Sequence, residues 1–168
     1  MRLFAAIELD DKMRRMLVNV QEGMKKSGVE GRFVPPENLH LTLAFIGEYP
    51  DADAVLDVMD TIPFEPFTIR VDGFGCFDEV IWWAGIEKCE PLEAYVRRLR
   101  HALAGAGIPF DRKAFRPHIT LVRDAVYADA PVFGEINAEM EVTFLSLMRS
   151  DQGKHEMIYT PVGVVDAC

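Results

Sequence analysis

No run of apolar residues in this sequence approaches the roughly 20 positions needed to span a bilayer, so a chain built of membrane helices is excluded. Cysteine is scarce: Cys76, Cys89 and Cys168 form no CxxC and cannot all pair, which argues against a disulfide-stapled secreted fold. The opening stretch Met1-Arg2-Leu3-Phe4-Ala5-Ala6-Ile7-Glu8 meets charge too soon to serve as a secretory leader. A reduced, cytoplasmic setting is therefore expected. No segment rich in Pro, Gly or Ser divides the 168 residues, so a single compact unit is expected. Positive charge is also short. The formal net charge is −9, and a broad grip on a nucleic-acid backbone normally needs a basic face. One local exception runs from Phe110 to Arg123, where Arg112, Lys113, Arg116 and Arg123 face only Asp111. Such a segment in an acidic chain suits a small anionic ligand or the end of a nucleic acid.

What the sequence does contain is a repeat. Leu3 to Leu9 reads as a buried strand, and Asp10 can cap a helix carrying Met13, Met16, Leu17, Val20 and Met24 on one face. Val80 to Glu87 reads as a second strand. Pro91 then opens a helix with Leu92, Tyr95, Val96, Leu99 and Leu103 on one face, each 79 residues after its counterpart. Ala5-Ala6-Ile7-Glu8 matches Ala84-Gly85-Ile86-Glu87 at the same offset. Strand and helix in one register indicate internal duplication, roughly 1–78 and 79–168. A helix around Asp53 to Ile62 and strands at Phe67–Phe74, Glu141–Met148 and Met157–Val162 complete the expected elements. The expected fold is α+β: one bilobed, pseudo-two-fold domain over 1–168, with mostly antiparallel sheets around a central cleft and helices outside.

The repeat carries chemistry. His40-Leu41-Thr42-Leu43 recurs as His118-Ile119-Thr120-Leu121. On a strand alternate residues share a face, so His and Thr project together while Leu41, Leu43, Ile119 and Leu121 point to the core. A lone strand histidine is usually a satisfied structural group. A polar pair repeated on one face of both halves is not, because burying such groups without partners is costly. Zinc does not fit the pattern: it takes three or four ligands, His101 lies among arginines on an exposed helix face, and His155 lies in a polar stretch. Neither a metal nor a cofactor is expected.

Two imidazoles, with ordinary pKa near 6.5, can act together near neutral pH, one as general base and one as general acid. On opposite sides of a phosphodiester they would deprotonate an attacking water and protonate the departing oxygen. Thr42 and Thr120 would donate to the non-bridging oxygens, and Arg116 or Arg123 would add charge. Simple alternation puts Arg123 on the face opposite His118, so its use requires the strand to end or bend there. A strained cyclic phosphate suits a site with no metal.

The paired HxTx segments resemble those of the 2H phosphoesterase superfamily. With Val34-Pro35-Pro36-Glu37-Asn38-Leu39 before the first, Phe115-Arg116-Pro117 before the second, and Trp83-Ala84-Gly85-Ile86 and Tyr159-Thr160-Pro161 elsewhere, the chain is similar over its whole length to the bacterial and archaeal RNA 2′,3′-cyclic phosphodiesterases, once called 2′-5′ RNA ligases. That resemblance implies hydrolysis of a terminal 2′,3′-cyclic phosphate, on RNA or a nucleotide, to a 2′-phosphate; a bilobed cleft enzyme is expected to act as a monomer. It further implies His40 as proton donor and His118 as proton acceptor, roles that symmetry alone does not assign. Two features depart from the family. Ala44 stands where lysine is frequent, an expected loss of a basic contact to substrate, and Asp151-Gln152-Gly153-Lys154-His155 replaces a Gly-rich turn at the expected cleft rim. ATP-independent 2′-5′ ligation, and a nucleotide- or RNA-binding module with little catalysis, are the competing readings.

Overall fold

The structure is a computed structural model that describes residues 1–168. Nine strands and three helices occur in the order β1 (Arg2–Glu8), α1 (Asp11–Lys26), β2 (Glu30–Phe33), β3 (His40–Glu48), α2 (Ala52–Asp60), β4 (Phe67–Phe77), β5 (Ile81–Ile86), α3 (Glu90–Gly105), β6 (His118–Val126), β7 (Glu139–Val142), β8 (Phe144–Gln152) and β9 (Met157–Asp166). The fold is α+β, with two antiparallel sheets ordered β3-β1-β8-β9 and β2-β6-β5-β4-β7.

Local chemistry sets the helices. Asp10 caps α1 by accepting from the Met13 N–H at 2.7 Å, and Asp51 does the same for α2 through the Ala54 N–H, each satisfying an orphan donor of the first turn. No side chain caps α3, which starts instead with Pro91 in its first turn, where a missing N–H costs nothing. Met13, Leu17 and Met24 of α1 are buried as the periodicity requires, whereas Met16 and Val20 are only partly buried. The remaining core position on that face is taken by a polar residue, Gln21. Its Nε2 donates to the carbonyls of Val34 and Leu121, both at 2.9 Å, and so ties the helix to β2's end and to β6.

The sheets exchange strands between the two halves of the sequence. β4 lies beside β5, while β8 and β9 extend the sheet that begins with β1. Each half therefore lends its later strand to the other half's sheet, as β3-β1-β8 and β6-β5-β4 show. One apolar core runs through both sheets, including Leu3, Ile7, Leu41, Leu43, Ile119 and Leu121, each at most 1% exposed.

Two elements differ from the sequence expectation. The short strand β2 has no apolar pattern that would announce it, because its residues are largely exposed; it is held at the edge by pairing with β6. The strand expected at Glu141–Met148 is two strands, β7 and β8, which join different sheets. Between β6 and β7 no regular element forms.

The register carries a second repeat. Between β1 and β3, Ala5 pairs with Ala44 and Ala6 with Thr42, so Leu43 is skipped. Between β5 and β6, Trp82 pairs with Val122 and Trp83 with Thr120, so Leu121 is skipped. Both are β-bulges, which place two consecutive residues on one side and re-aim the side chains beyond them. Leu43 and Ala44 are 1% and 2% exposed, and Leu121 and Val122 both 0%. Ala44 is buried at the β3 bulge, yet it lines a cavity together with Thr42 and His118.

Candidate active site

β3 and β6 each begin at a histidine. The His40 Nδ1–H donates to the Asn38 carbonyl at 2.7 Å, and the His118 Nδ1–H to the Arg116 carbonyl at 2.5 Å. A carbonyl only accepts, so in both rings the proton is held on Nδ1 and Nε2 is left for chemistry. The acceptor lies two residues upstream in each case, a local geometry prepared by Pro35-Pro36 and a 3₁₀ turn at Pro36–Asn38 in one half, and by Pro117 in the other. Asn38 is buried, and its Nδ2 donates to the Met157 carbonyl at 2.8 Å, which anchors β9 beside His40. The Thr42 Oγ1 lies 2.9 Å from His40 Nε2. Its hydroxyl donates to a neutral ring and accepts from a protonated one. No equivalent bond joins Thr120 to His118.

Aromatic walls hold both rings. His40 is 5.0 Å from the Phe4 ring and 5.3 Å edge-on to Tyr159. His118 is 5.2 Å edge-on to Phe77 and 5.7 Å from Trp83. Phe4 and Trp83 are repeat equivalents, separated by the same 79 residues as the helix faces. Phe4, Ala6 and Met148 form a separate small apolar cluster on the cleft side of their sheet, with Tyr159 against it. Trp83 fits only because its cross-strand partner is Gly75, where an added Cβ would lie 2.5 Å from the indole Cη2.

The bulge in β6 settles the position of Arg123. With Leu121 and Val122 both turned inward, Arg123 returns to the side of His118 and Thr120 despite the simple alternation that opposes it. Gly31 lets β2 pack closely there: a Cβ on it would lie 2.9 Å from the Arg123 carbonyl oxygen. Arg123 lines two cavities with His40, one that includes Thr120 and Tyr159 and another that includes Thr42 and Phe45. Phe45, at the matching position after the β3 bulge, is its repeat counterpart. Arg116 is exposed and lines a third cavity with His118 and Thr42. Thr42 thus lines both a cavity of His40 and that of His118, and the four HxTx residues and two arginines border three cavities that share lining residues.

Burial pushes both imidazoles below the ordinary histidine range, because a low-dielectric surround disfavours the charged ring. The backbone carbonyls partly oppose this, and the Arg123 guanidinium lowers both rings further. His40 also feels His118, and His118 feels Arg116. One cation acting on both rings is the electrostatic mark of a shared site. Of the other histidines, His101 is exposed on α3, whereas His155 stands at the rim with Glu156, in the cavity of His40 and Arg123. Asp151 and Gln152 border the neighbouring cavity, so the segment that departs from a Gly-rich turn does form cleft rim. No three His, Cys, Asp or Glu side chains converge in a metal-binding group, and no helix is long and apolar enough to cross a membrane.

A family model described as the 2′-5′ RNA ligase superfamily matches residues 25–154. The chain belongs to this superfamily. Among its relatives, the RNA 2′,3′-cyclic phosphodiesterase of Methanothermobacter thermautotrophicus is 32% identical over 97% of this chain and 97% of its own length. The Thermotoga maritima protein of that name is 32% identical over 77% of this chain and 73% of its own. Among solved structures, apo LigT of Escherichia coli superposes with a TM-score of 0.87 at 30% identity, over 99% of this chain and 96% of LigT. LigT has also been solved with 3′-AMP. The superfamily fold is therefore shared from end to end.

Sequence reasoning missed Asn38, Phe4, Phe77, Tyr159 and Gln21 as parts of the site or its frame. Phe4 had a signal, the 79-residue offset to Trp83. Tyr159 had no physical signal of its own, because β9 has no repeat partner, and a glutamine on a helix face such as Gln21 announces nothing.

Proposed function

We propose that this protein hydrolyses a terminal 2′,3′-cyclic phosphate, on RNA or a nucleotide, to a 2′-phosphate without a metal ion. The observation that carries the reading is the pair of Nδ1-anchored imidazoles that line cavities joined by Thr42 and both feel Arg123. Relatives covering nearly the whole chain bear the name of that activity, and a structural relative takes up 3′-AMP.

In the proposed reaction the cyclic phosphate lies between the two rings, its non-bridging oxygens on Arg123 and the hydroxyls of Thr42 and Thr120. His118 Nε2 takes a proton from water as the water oxygen bonds to phosphorus. The bond from phosphorus to the 3′-oxygen breaks, and His40 gives that oxygen its proton. Lowered pKa favours the base form of His118 at neutral pH. The same shift makes His40 a poor acid in the empty site. The incoming phosphate anion corrects that, because it offsets the Arg123 charge and draws a proton onto His40. Each proton transfer contributes about 10²–10⁴-fold. The protein works as a monomer in the cytoplasm, where its three unpaired thiols persist.

The test is turnover of a 2′,3′-cyclic mononucleotide in excess EDTA, with the product identified by phosphorus NMR. A 2′-monophosphate at an undiminished rate supports the proposal. A 3′-monophosphate, or activity abolished by the chelator, overturns it.

A further inference from the structure

On the His40 side of the cleft lies a cavity of about 250 Å³, smaller than the sites that take drug-sized ligands and on the scale of a nucleoside. Its apolar walls come from different sheets: Phe33 ends β2, with Val34 and Pro35 after it, while Met157 and Tyr159 belong to β9. Such a slot suits a flat ring. His40 and Arg123 border it too, so a base held there hangs from a ribose whose phosphate reaches the imidazole. One lining residue is out of place in a cleft for anions. Glu156 brings a carboxylate, whose charge opposes phosphate binding. Arg32, in the same cavity, pairs instead with Asp124 at 2.6 Å, and no ion pair engages Glu156. Its backbone is nonetheless fixed. The Gly153 N–H donates to the Glu156 carbonyl at 2.9 Å, in a turn so tight that a Cβ on Gly153 would overlap that oxygen. The Asn38 Nδ2 holds the next carbonyl, that of Met157, at 2.8 Å. An unpaired carboxylate is thus anchored at the rim of a base-sized slot.

The edges of the bases decide what such a carboxylate receives, because an ionised carboxylate only accepts. Guanine alone offers two adjacent donors, N1–H and the N2 amino group, in the spacing that a carboxylate takes in a bidentate pair. Adenine and cytosine set a ring-nitrogen acceptor beside the amino group, and uracil flanks its one N–H with two carbonyls. Each of these meets the carboxylate with one bond at most and a repulsive lone pair beside it. Resting on the proposed hydrolytic function, we propose that Glu156 is a specificity residue, which selects a terminal guanosine 2′,3′-cyclic phosphate by accepting from N1–H and N2–H of the base. The guanine ring lies in the slot between Phe33, Val34 and Pro35 on one side and Met157 and Tyr159 on the other. Its ribose turns toward His40, and the phosphate keeps the place on Arg123 and the threonines that hydrolysis requires. The hydrogen bonds to the base then offset the repulsion that Glu156 imposes, and they do so for one base only.

The probes are the 2′,3′-cyclic mononucleotides of guanine, adenine, uracil and cytosine, with kcat/KM measured for each in EDTA. The wild type is expected to favour the guanine nucleotide about tenfold, the lower part of the range for a bidentate base contact because Glu156 is exposed. Glu156→Gln replaces the carboxylate by an amide, which accepts through oxygen and donates through nitrogen, the match for adenine. The guanine-to-adenine ratio should therefore fall about tenfold, mostly through KM. Because the ratio is taken within one variant, a folding defect cancels from it. A wild type that treats the bases alike, or a ratio unmoved in Glu156→Gln, overturns the base contact and leaves the hydrolytic function standing. Calorimetry with guanosine and adenosine 2′-monophosphates separates the two claims in the other direction. If no cyclic phosphate is turned over, the function falls, yet guanosine 2′-monophosphate binding about tenfold tighter than its adenosine counterpart supports the subsite, and equal affinities overturn it as well.

Discussion

Replacing Arg123 by glutamine has two separable consequences. The guanidinium borders both cavities of His40 and is the leading charge acting on each ring. A unit charge about 4 Å from a phosphate contributes about 4 kcal/mol at an effective dielectric near 20 and about 1 kcal/mol in bulk water. Arg123 is exposed at the cleft, so solvent screening brings the loss to about 2–3 kcal/mol, or about 30- to 150-fold in kcat/KM. The second consequence is in the pH profile. Burial, and after it Arg123, disfavours protonation of both rings, so in the wild type both limbs of the kcat/KM bell lie below the ordinary histidine value of about 6.5. Without the guanidinium, both folded-state pKa values rise, and both limbs move toward alkaline pH. Steady-state rates on a 2′,3′-cyclic mononucleotide at fixed ionic strength measure both effects. Limbs that stay in place while the rate falls would refute the placement of one cation over both imidazoles.

Three further substitutions test the frame. Gly75→Ala drives a methyl into the space of the Trp83 indole and displaces the wall of His118. The expected outcome is a fall in kcat larger than any change in KM, with about 1–3 kcal/mol lost from denaturant unfolding; an unchanged kcat contradicts the wall's role. Thr42→Val removes the hydroxyl bonded to His40 Nε2 and with it the proposed donor to the transition-state oxygens, for an expected loss of about 10²–10³-fold in kcat with little change in stability. Gln21→Leu leaves the half-buried Val34 carbonyl without its side-chain donor and takes one of two donors from the buried Leu121 carbonyl. It should cost about 1–3 kcal/mol in urea unfolding, and a neutral result would show that water substitutes for the amide.

Much of this was legible before any coordinates, because periodicity speaks for faces. The 79-residue offset between helix faces and the paired HxTx strands required only that helices repeat every 3.6 residues and strands every two. The burial of Leu41, Leu43, Ile119 and Leu121 follows from the same rule, and the cap at Asp10 from the orphan donors of a first turn. Strict alternation then failed at a definite place. A bulge adds one residue to one strand for reasons that lie in its neighbour, so nothing in Leu121-Val122-Arg123 says that Arg123 returns to the cleft. Strand exchange was hidden for a related reason: the order β3-β1-β8 depends on where β8 finds an open edge, not on its composition. Gln21 and Asn38 were invisible because their partners are backbone carbonyls far along the chain.

Losses at His40 and His118 that do not multiply are the most direct sign that the two rings act on one phosphorus. The measurement is kcat/KM on a 2′,3′-cyclic mononucleotide in EDTA for His40→Ala, His118→Ala and the double variant. Groups that work as a unit are non-additive, so each single change is expected to cost at least about 10²-fold and the double change little more than the worse single one. Wild-type turnover in either single variant, or a double variant whose loss equals the product of the two, would contradict a shared phosphorus centre.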